Sequence, residues 1–347
     1  MTGVCLPYYS IVCWIHSPSF LDCYIMNRFL KPLYLLLLLT FLGVNIALAE
    51  DFRGKKILYV DSYHLDYPWS AGIQQGIKNV LKHTHIELKT VSMDTKRHRS
   101  EMYKKEVALK VKKVIENYQP DVVIASDDNA SKHLIQPYYK NADLPFVFCG
   151  VNWDASTYDY PYKNTTGMVE VSLIKPLVKQ LETYSKGLRL GVLAFDTFSE
   201  RKAVANYRGV VVVNEERYVS TFEEWKQAYI DLQKKVDQLV LVNITGAENW
   251  NDEQAIEFVK QNTTIPTGAL ERWVMPFAML GYVKIPEEQG EWAANAALKI
   301  LKGRPPRSIP IVTNEKGKLM INLGISEKAN ILFSLAMLKT AEIFVQK

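Results

Sequence analysis

Residues 56–82 read KILYVDSYHLDYPWSAGIQQGIKNVLK, and a change of period inside this stretch decides the fold class. Lys56 to Asp61 is a short apolar run of strand length. From Trp69 to Lys82 the residues Ile73, Ile77, Val80 and Leu81 recur at helical spacing. The same unit then repeats. Ile86 to Met93 alternates as a strand, and Glu101 to Tyr118 carries Val107, Val111, Val114 and Ile115 on one helical face. Asp121 to Ala125 is an apolar strand, and a short helix leads to Pro145-Phe-Val-Phe-Cys149. Alternating strands and helices of this kind predict a parallel sheet covered by helices on both faces.

The rhythm restarts further on. Leu173 to Tyr184 reads as a helix, Leu188 to Phe195 as a strand, Ser199 to Tyr207 as a helix and Val210 to Val213 as a strand. Phe222 to Val236 and Asp252 to Gln261 read as helices, with strands at Gln238 to Ile244 and Ile265 to Leu270. A helix over Glu287 to Leu301 is closed by Lys302-Gly303 and Pro305-Pro306. Ile309 to Val312 and Lys318 to Leu323 follow as extended segments. Ile331 to Phe344 is apolar and helical in pattern, with no partner that the sequence assigns. The expected fold is therefore α/β, with two Rossmann-like lobes of similar size built on parallel sheets.

Composition agrees with that reading. The 347 residues are 48% hydrophobic and 23% charged, which excludes a disordered chain. With 42 Lys+Arg against 37 Asp+Glu the net charge is small, and no basic run suggests nucleic acid as a partner. The front of the chain is different. Arg28 and Lys31 precede the apolar run Leu33 to Val44, and Ala47-Leu48-Ala49 supplies small residues before Glu50. Residues 26–49 thus read as a secretory signal peptide cleaved after Ala49, which places the mature protein in the periplasm. The competing reading is a retained membrane anchor. Residues 1–25 fit no targeting logic and suggest an over-extended start before Met26. Three of the four Cys fall in that region, so Cys149 alone remains, and it reads as a buried strand thiol.

Polar clusters stand where each predicted strand ends: Ser62-Tyr63-His64, Asp127-Asp128-Asn129, Gly150-Val151-Asn152, Asp196-Thr197, Thr245-Gly246 and Glu271-Arg272-Trp273. In open α/β sheets ligands bind outside the carboxyl ends of the strands. Any single cluster could instead cap the next helix. Taken jointly they predict a ligand cleft contacted by Tyr63, Trp69, Asp127, Asn129 and Asn152 from one lobe. Asp196, Thr245, Glu271 and Trp273 would contact it from the other. Tyr67, Trp153 and Trp250 add aromatic surface near these loops. Acid exceeds base in the clusters, so a neutral or cationic ligand bearing an amino or hydroxyl group is expected. No nucleophile elbow, phosphate-binding loop, dinucleotide fingerprint or zinc motif occurs, so neither catalysis nor a cofactor is expected.

Val60-Asp-Ser-Tyr-His-Leu-Asp-Tyr-Pro-Trp69, Ala125-Ser-Asp-Asp-Asn-Ala130 and Val147-Phe-Cys-Gly-Val-Asn152 resemble the ABC-transporter substrate-binding family, which has the type I periplasmic-binding-protein fold. The likeness is strongest to the branch that also forms sensor regions of histidine kinases and diguanylate cyclases. Ala296 to Gly303, Ile309 to Val312 and Leu319 to Leu323 follow in the family's order. This resemblance implies a three-crossover hinge near Glu170–Val171, Gly281–Val283 and Pro310. One lobe would then combine 53–170 with 283–310, the other 171–282 with 311–330, followed by a helix within 331–347. It also implies capture of a small-molecule solute, amino-acid-like or another small organic compound, for delivery to an ABC permease in the inner membrane. The alternative is a sensing module that acts on a separate membrane kinase or cyclase. The absence of an output domain before Lys347 favours the free binding protein.

Overall fold

The computed structural model describes residues 52–98, 100–243, 249–327 and 329–345; the leader, the start at Met26 and the cleavage point lie outside them. The first part of the chain runs β1 (Lys56–Asp61), α1 (Pro68–Leu81), β2 (Glu87–Ser92), α2 (Glu101–Tyr118), β3 (Val122–Ser126) and α3 (Asp127–Ala130). A π-helical turn, Ser131–Ile135, leads to α4 (Gln136–Tyr138), β4 (Phe146–Asn152) and β5 (Thr165–Glu170). The second part comprises α5 (Ile174–Glu182), β6 (Leu190–Phe195), α6 (Phe198–Arg208), β7 (Glu215–Val219), α7 (Phe222–Gln233) and β8 (Gln238–Leu241). It continues with α8 (Asp252–Asn262), β9 (Thr267–Ala269), a 3-10 turn at Arg272–Phe277 and β10 (Leu280–Lys284). The last stretch holds α9 (Pro286–Leu301), β11 (Val312–Thr313), β12 (Gly317–Ile321), α10 (Leu323–Ser326), α11 (Leu335–Thr340) and β13 (Glu342–Ile343).

These strands form a six-stranded sheet, β11-β5-β4-β3-β1-β2, and a seven-stranded sheet, β13-β12-β10-β9-β8-β6-β7. Pairing is parallel throughout the first; in the second, β12 runs antiparallel to β10. The period of two along each strand feeds cores on both faces. On β1, Ile57 and Tyr59 pack with Ile73, Ile77 and Ala293, whereas Leu58 and Val60 pack with Val107, Val111 and Ile115. β6 does the same, with Leu193 and Phe195 against Trp225 and Tyr229, and Val192 and Ala194 against Leu177 and Leu181.

The chain passes between the sheets three times: after β5, between β10 and α9, and between β11 and β12. The second and third passages fall later than the family resemblance implies. Val283 and Lys284 still pair with β12, as Lys318 and Gly317 are their partners. Val312 and Thr313 still pair with Met168 and Val169. Helix α9 therefore returns to the first sheet and packs against α1. The two helices touch so closely that a Cβ on Gly290 would lie 2.0 Å from the Ile73 carbonyl oxygen.

Several local expectations are corrected. Val210 to Val213 is not a strand; the edge strand is Glu215–Val219, and Val212 is exposed. The segment Leu280–Lys284, read only as a passage, is a full strand. Ile331 to Phe344 is not one helix, since α11 covers Leu335–Thr340 and β13 pairs with Met320 and Ile321. Cys149 is a buried free thiol on β4, as its apolar run suggests.

Candidate functional site

The carboxyl ends of both sheets face a cavity of about 870 Å³. From the first sheet come Tyr63 and Tyr67 after β1, Trp69 on the first turn of α1, Lys96, Asp127, Asn152 and Glu170. From the second come Glu271, Arg272, Trp273, Val283, Lys284 and Lys318, and the start of α9 supplies Pro286 and Glu287. A smaller cavity of about 390 Å³ shares Asn152, Glu271, Trp273 and Lys284 with it and adds Trp153, Glu200 and Tyr207.

The floor is acidic and buried. Asp127 starts α3 with φ +68, a left-handed conformation that Asp tolerates better than most residues. The residue is 1% exposed; Oδ1 accepts a hydrogen bond from Trp69 Nε1 at 3.1 Å, and Oδ2 has no hydrogen-bond partner among the described residues. Burial, reinforced by the charges of Glu170, Asp61 and Asp128, pushes this carboxyl well above the usual range. Opposite it, Gly150 also takes a positive φ of 67. A Cβ there would come within 3.1 Å of Asp127 Oδ1, while the Gly150 amide donates to Gln289 Oε1 on α9. The tight β4 corner thus brings the carboxyl and the returning helix together.

Lys284, the last residue of β10, crosses between the sheets. Its ammonium lies 2.6 Å from Glu170 Oε1 at the end of β5 and 2.8 Å from Glu271 Oε1 after β9. The Lys284 and Glu170 side chains are only 13% and 8% exposed. Burial raises the Glu170 carboxyl, and the Lys284 charge opposes that rise. Lys284 itself is held firmly protonated by its two carboxylates against the cost of burial. The same ammonium stands 5.5 Å from the centre of the Trp69 ring, within cation–π range. At the rim, Lys96 lies over Tyr63 and Tyr67, 4.6 and 4.2 Å from the ring centres, and donates to Tyr67 Oη. Arg272 and Lys318 both pair with Glu342 of β13.

Of the residues expected to contact ligand, Tyr63, Trp69, Asp127, Asn152, Glu271 and Trp273 line the main cavity. Two others are placed differently. Asn129 donates to Thr95 Oγ1 and does not line it. Asp196 forms an ion pair with Arg201, while Thr197 caps α6 through the Glu200 amide; this cluster serves the helix start. Thr245 lies outside the described residues. Trp250 belongs to the core, with its ring centre 5.0–5.7 Å from Phe222, Trp225, Phe277 and Phe195. Sequence reasoning missed Lys96, Lys284 and Lys318, so acid does not exceed base over the whole lining. It does so in the buried floor, where Asp127, Glu170 and Glu271 outnumber the one cation, Lys284, which pairs with the two glutamates. No group of three or more potential metal ligands occurs among the described residues. No helix among them is long and apolar enough to cross a membrane.

Comparison with known proteins agrees with this architecture. Among solved structures, the chain is similar to the ligand-free, open form of CD0873, a substrate binding protein with adhesive properties from Clostridium difficile. The identity is 18% and the TM-score 0.63, over 84% of this chain and 100% of that one. It is similar to an ABC domain in complex with L-Trp from Streptococcus pneumonia, at 17% identity and TM-score 0.52, over 84% and 99% of the two chains. It is also similar to an ABC transporter solute binding protein from Bradyrhizobium sp. BTAi1 with bound Bis-Tris. There the identity is 11% and the TM-score 0.54, over 82% and 86%. At these identities the likeness concerns the fold, which is that of type I periplasmic binding proteins. No curated protein matches the sequence. Residues 64–345 match the family described as ABC transporter substrate binding protein, and the chain belongs to that family.

Proposed function

We propose that this protein captures a small organic solute between its two lobes, outside the cytoplasmic membrane, and delivers it to an ABC importer without chemically altering it. One observation carries the reading: aromatic and charged side chains from the carboxyl ends of both sheets converge on a single cavity of a size suited to a small molecule. Trp69 and Trp273 offer large apolar faces from opposite lobes, and Asp127, Asn152 and Glu271 offer fixed polar groups beside them. A ligand that touches both lobes binds the closed arrangement better than the open one, and that difference drives closure. Membership of a binding-protein family supports the reading, as does the secretory character of residues 26–49. The bound L-Trp and Bis-Tris of two structural relatives are compatible with amine-bearing solutes.

A thermal-shift screen of amino acids, nucleobases, sugars, polyamines and simple aromatic amines tests this. A true ligand at a hundred times its dissociation constant stabilises the fold by about 2.7 kcal/mol. A screen without any stabilising compound, or a hit that the protein consumes, contradicts the reading.

A further inference from the structure

Resting on the solute-capture reading above, we infer that the ligand is a cation without a carboxylate: an ammonium group on an apolar or aromatic body. The argument is one of charge accounting around the cavity. A zwitterionic solute needs a cationic partner for its carboxylate, and every cation of the described lining is already engaged. Lys284 is held by Glu170 and Glu271, Arg272 and Lys318 share Glu342, and Lys96 is held by Tyr67 Oη and two aromatic faces. Helix starts are the usual substitute for a cationic partner. In the first turn of α1, Ser70 already donates its Oγ to Asp61 Oδ1 at 2.7 Å, an acid that also accepts from the Tyr63 amide ahead of the helix. Helix α9 opens with Glu287 and Glu288.

The acids are unbalanced. Asp127 is buried with no cationic partner, and Lys284 is one positive charge set between two carboxylates. Burying a carboxylate without a counter-charge is expensive, and an incoming ammonium removes that cost where an incoming carboxylate adds to it. The raised affinity of the Asp127 carboxyl for its proton reports the same imbalance. The aromatic lining suits a cation as well. Lys96 and Lys284 sit over Tyr63, Tyr67 and Trp69, so the faces of these rings are placed to receive positive charge.

Three indole compounds separate the possibilities: tryptamine, L-tryptophan and indole-3-propionate share one ring system and differ in ammonium and carboxylate. Titration calorimetry at pH 7.5, with phenethylamine, putrescine and choline as further cations, gives the ranking. The expected result is that the best binder lacks a carboxylate. Tryptamine should bind at least tenfold more tightly than L-tryptophan, with no detectable indole-3-propionate binding. Asp127→Asn should weaken the best cation about ten- to a hundredfold. If L-tryptophan or indole-3-propionate binds more tightly than every cation, the inference is overturned while solute capture stands. If only uncharged compounds from the wider screen bind, it is likewise overturned. If nothing in either set binds, the solute-capture reading falls and takes the inference with it.

Discussion

Replacing Lys284 by methionine keeps most of the apolar stem and removes the charge that joins the two sheets. Glu170 and Glu271 are then left side by side in a site where Lys284 and Glu170 are almost wholly screened from water. Removing one partner of a buried ion pair costs about 3–5 kcal/mol, because the remaining charge is stranded. The partial exposure of Glu271 places the expected loss near the lower end, at about 3 kcal/mol. At about 2–4 °C per kcal/mol, the melting temperature at pH 7.5 should fall by about 6–12 °C. The loss has a defined pH dependence. Burial raises the Glu170 carboxyl, and without Lys284 nothing opposes that rise. The folded variant then binds this proton more tightly than the unfolded chain. That stabilisation is fully present below the unfolded value of about 4.3 and is lost as pH rises through the folded value. The deficit of the variant should therefore shrink between pH 8 and pH 5. Adding Glu170→Gln should recover part of it at neutral pH. Melting curves of the three proteins across that range are the assay. A Lys284→Met protein that melts within about 1 °C of the parent at every pH refutes the reasoning.

Four further outcomes are expected. Gly290→Ala should lower stability by about 3 kcal/mol or more in urea titration, since its Cβ would overlap the Ile73 carbonyl in the α1–α9 contact. Asp127→Asn cannot ionise. The parent loses the stability of its buried neutral carboxyl as pH rises above about 3.9, so the variant should gain relative to the parent in melting scans from pH 4 to pH 8. Trp273→Ala should weaken ligand binding while lowering the melting temperature of the protein alone only slightly, because the residue is 50% exposed and the one side-chain hydrogen bond it loses among the described residues is that from Nε1 to Asn243 Oδ1. Asn129→Ala and Asp196→Ala should leave binding intact by the same calorimetric assay, because neither side chain lines the cavity.

The α/β class and the two parallel-dominant sheets were legible because they follow from periodicity, which each segment carries locally. What failed depended on partners distant in sequence. Val210 to Val213 has the β-branched composition of a strand, yet it lies beyond α6 as a turn. The more polar Glu215–Val219 takes the edge position, where Val219 alone is buried and the other side chains are covered only in part or exposed. Leu280–Lys284 is short and broken by Gly281, so its period carries little signal. Its identity as a strand comes from pairing on both sides with β9 and β12. Lys284 reads in sequence as an ordinary surface charge, and only the approach of Glu170 and Glu271 makes it a buried bridge. Asp196-Thr197 shows the converse. A polar pair at a strand end satisfied the pattern for a ligand site, and the fold uses it to start a helix. Cap and contact employ the same residue types, so composition alone does not separate them.

The most direct test of capture between two lobes is calorimetric titration of the strongest cationic hit into the parent, Trp69→Ala and Trp273→Ala. These variants remove one aromatic wall from each sheet's side of the cavity. The account predicts one site per chain and a loss of about ten- to a hundredfold in both variants, which corresponds to about 1.4–2.8 kcal/mol for each wall. A ligand that binds both variants as tightly as the parent, or that loses affinity in only one of them, contradicts capture between the lobes.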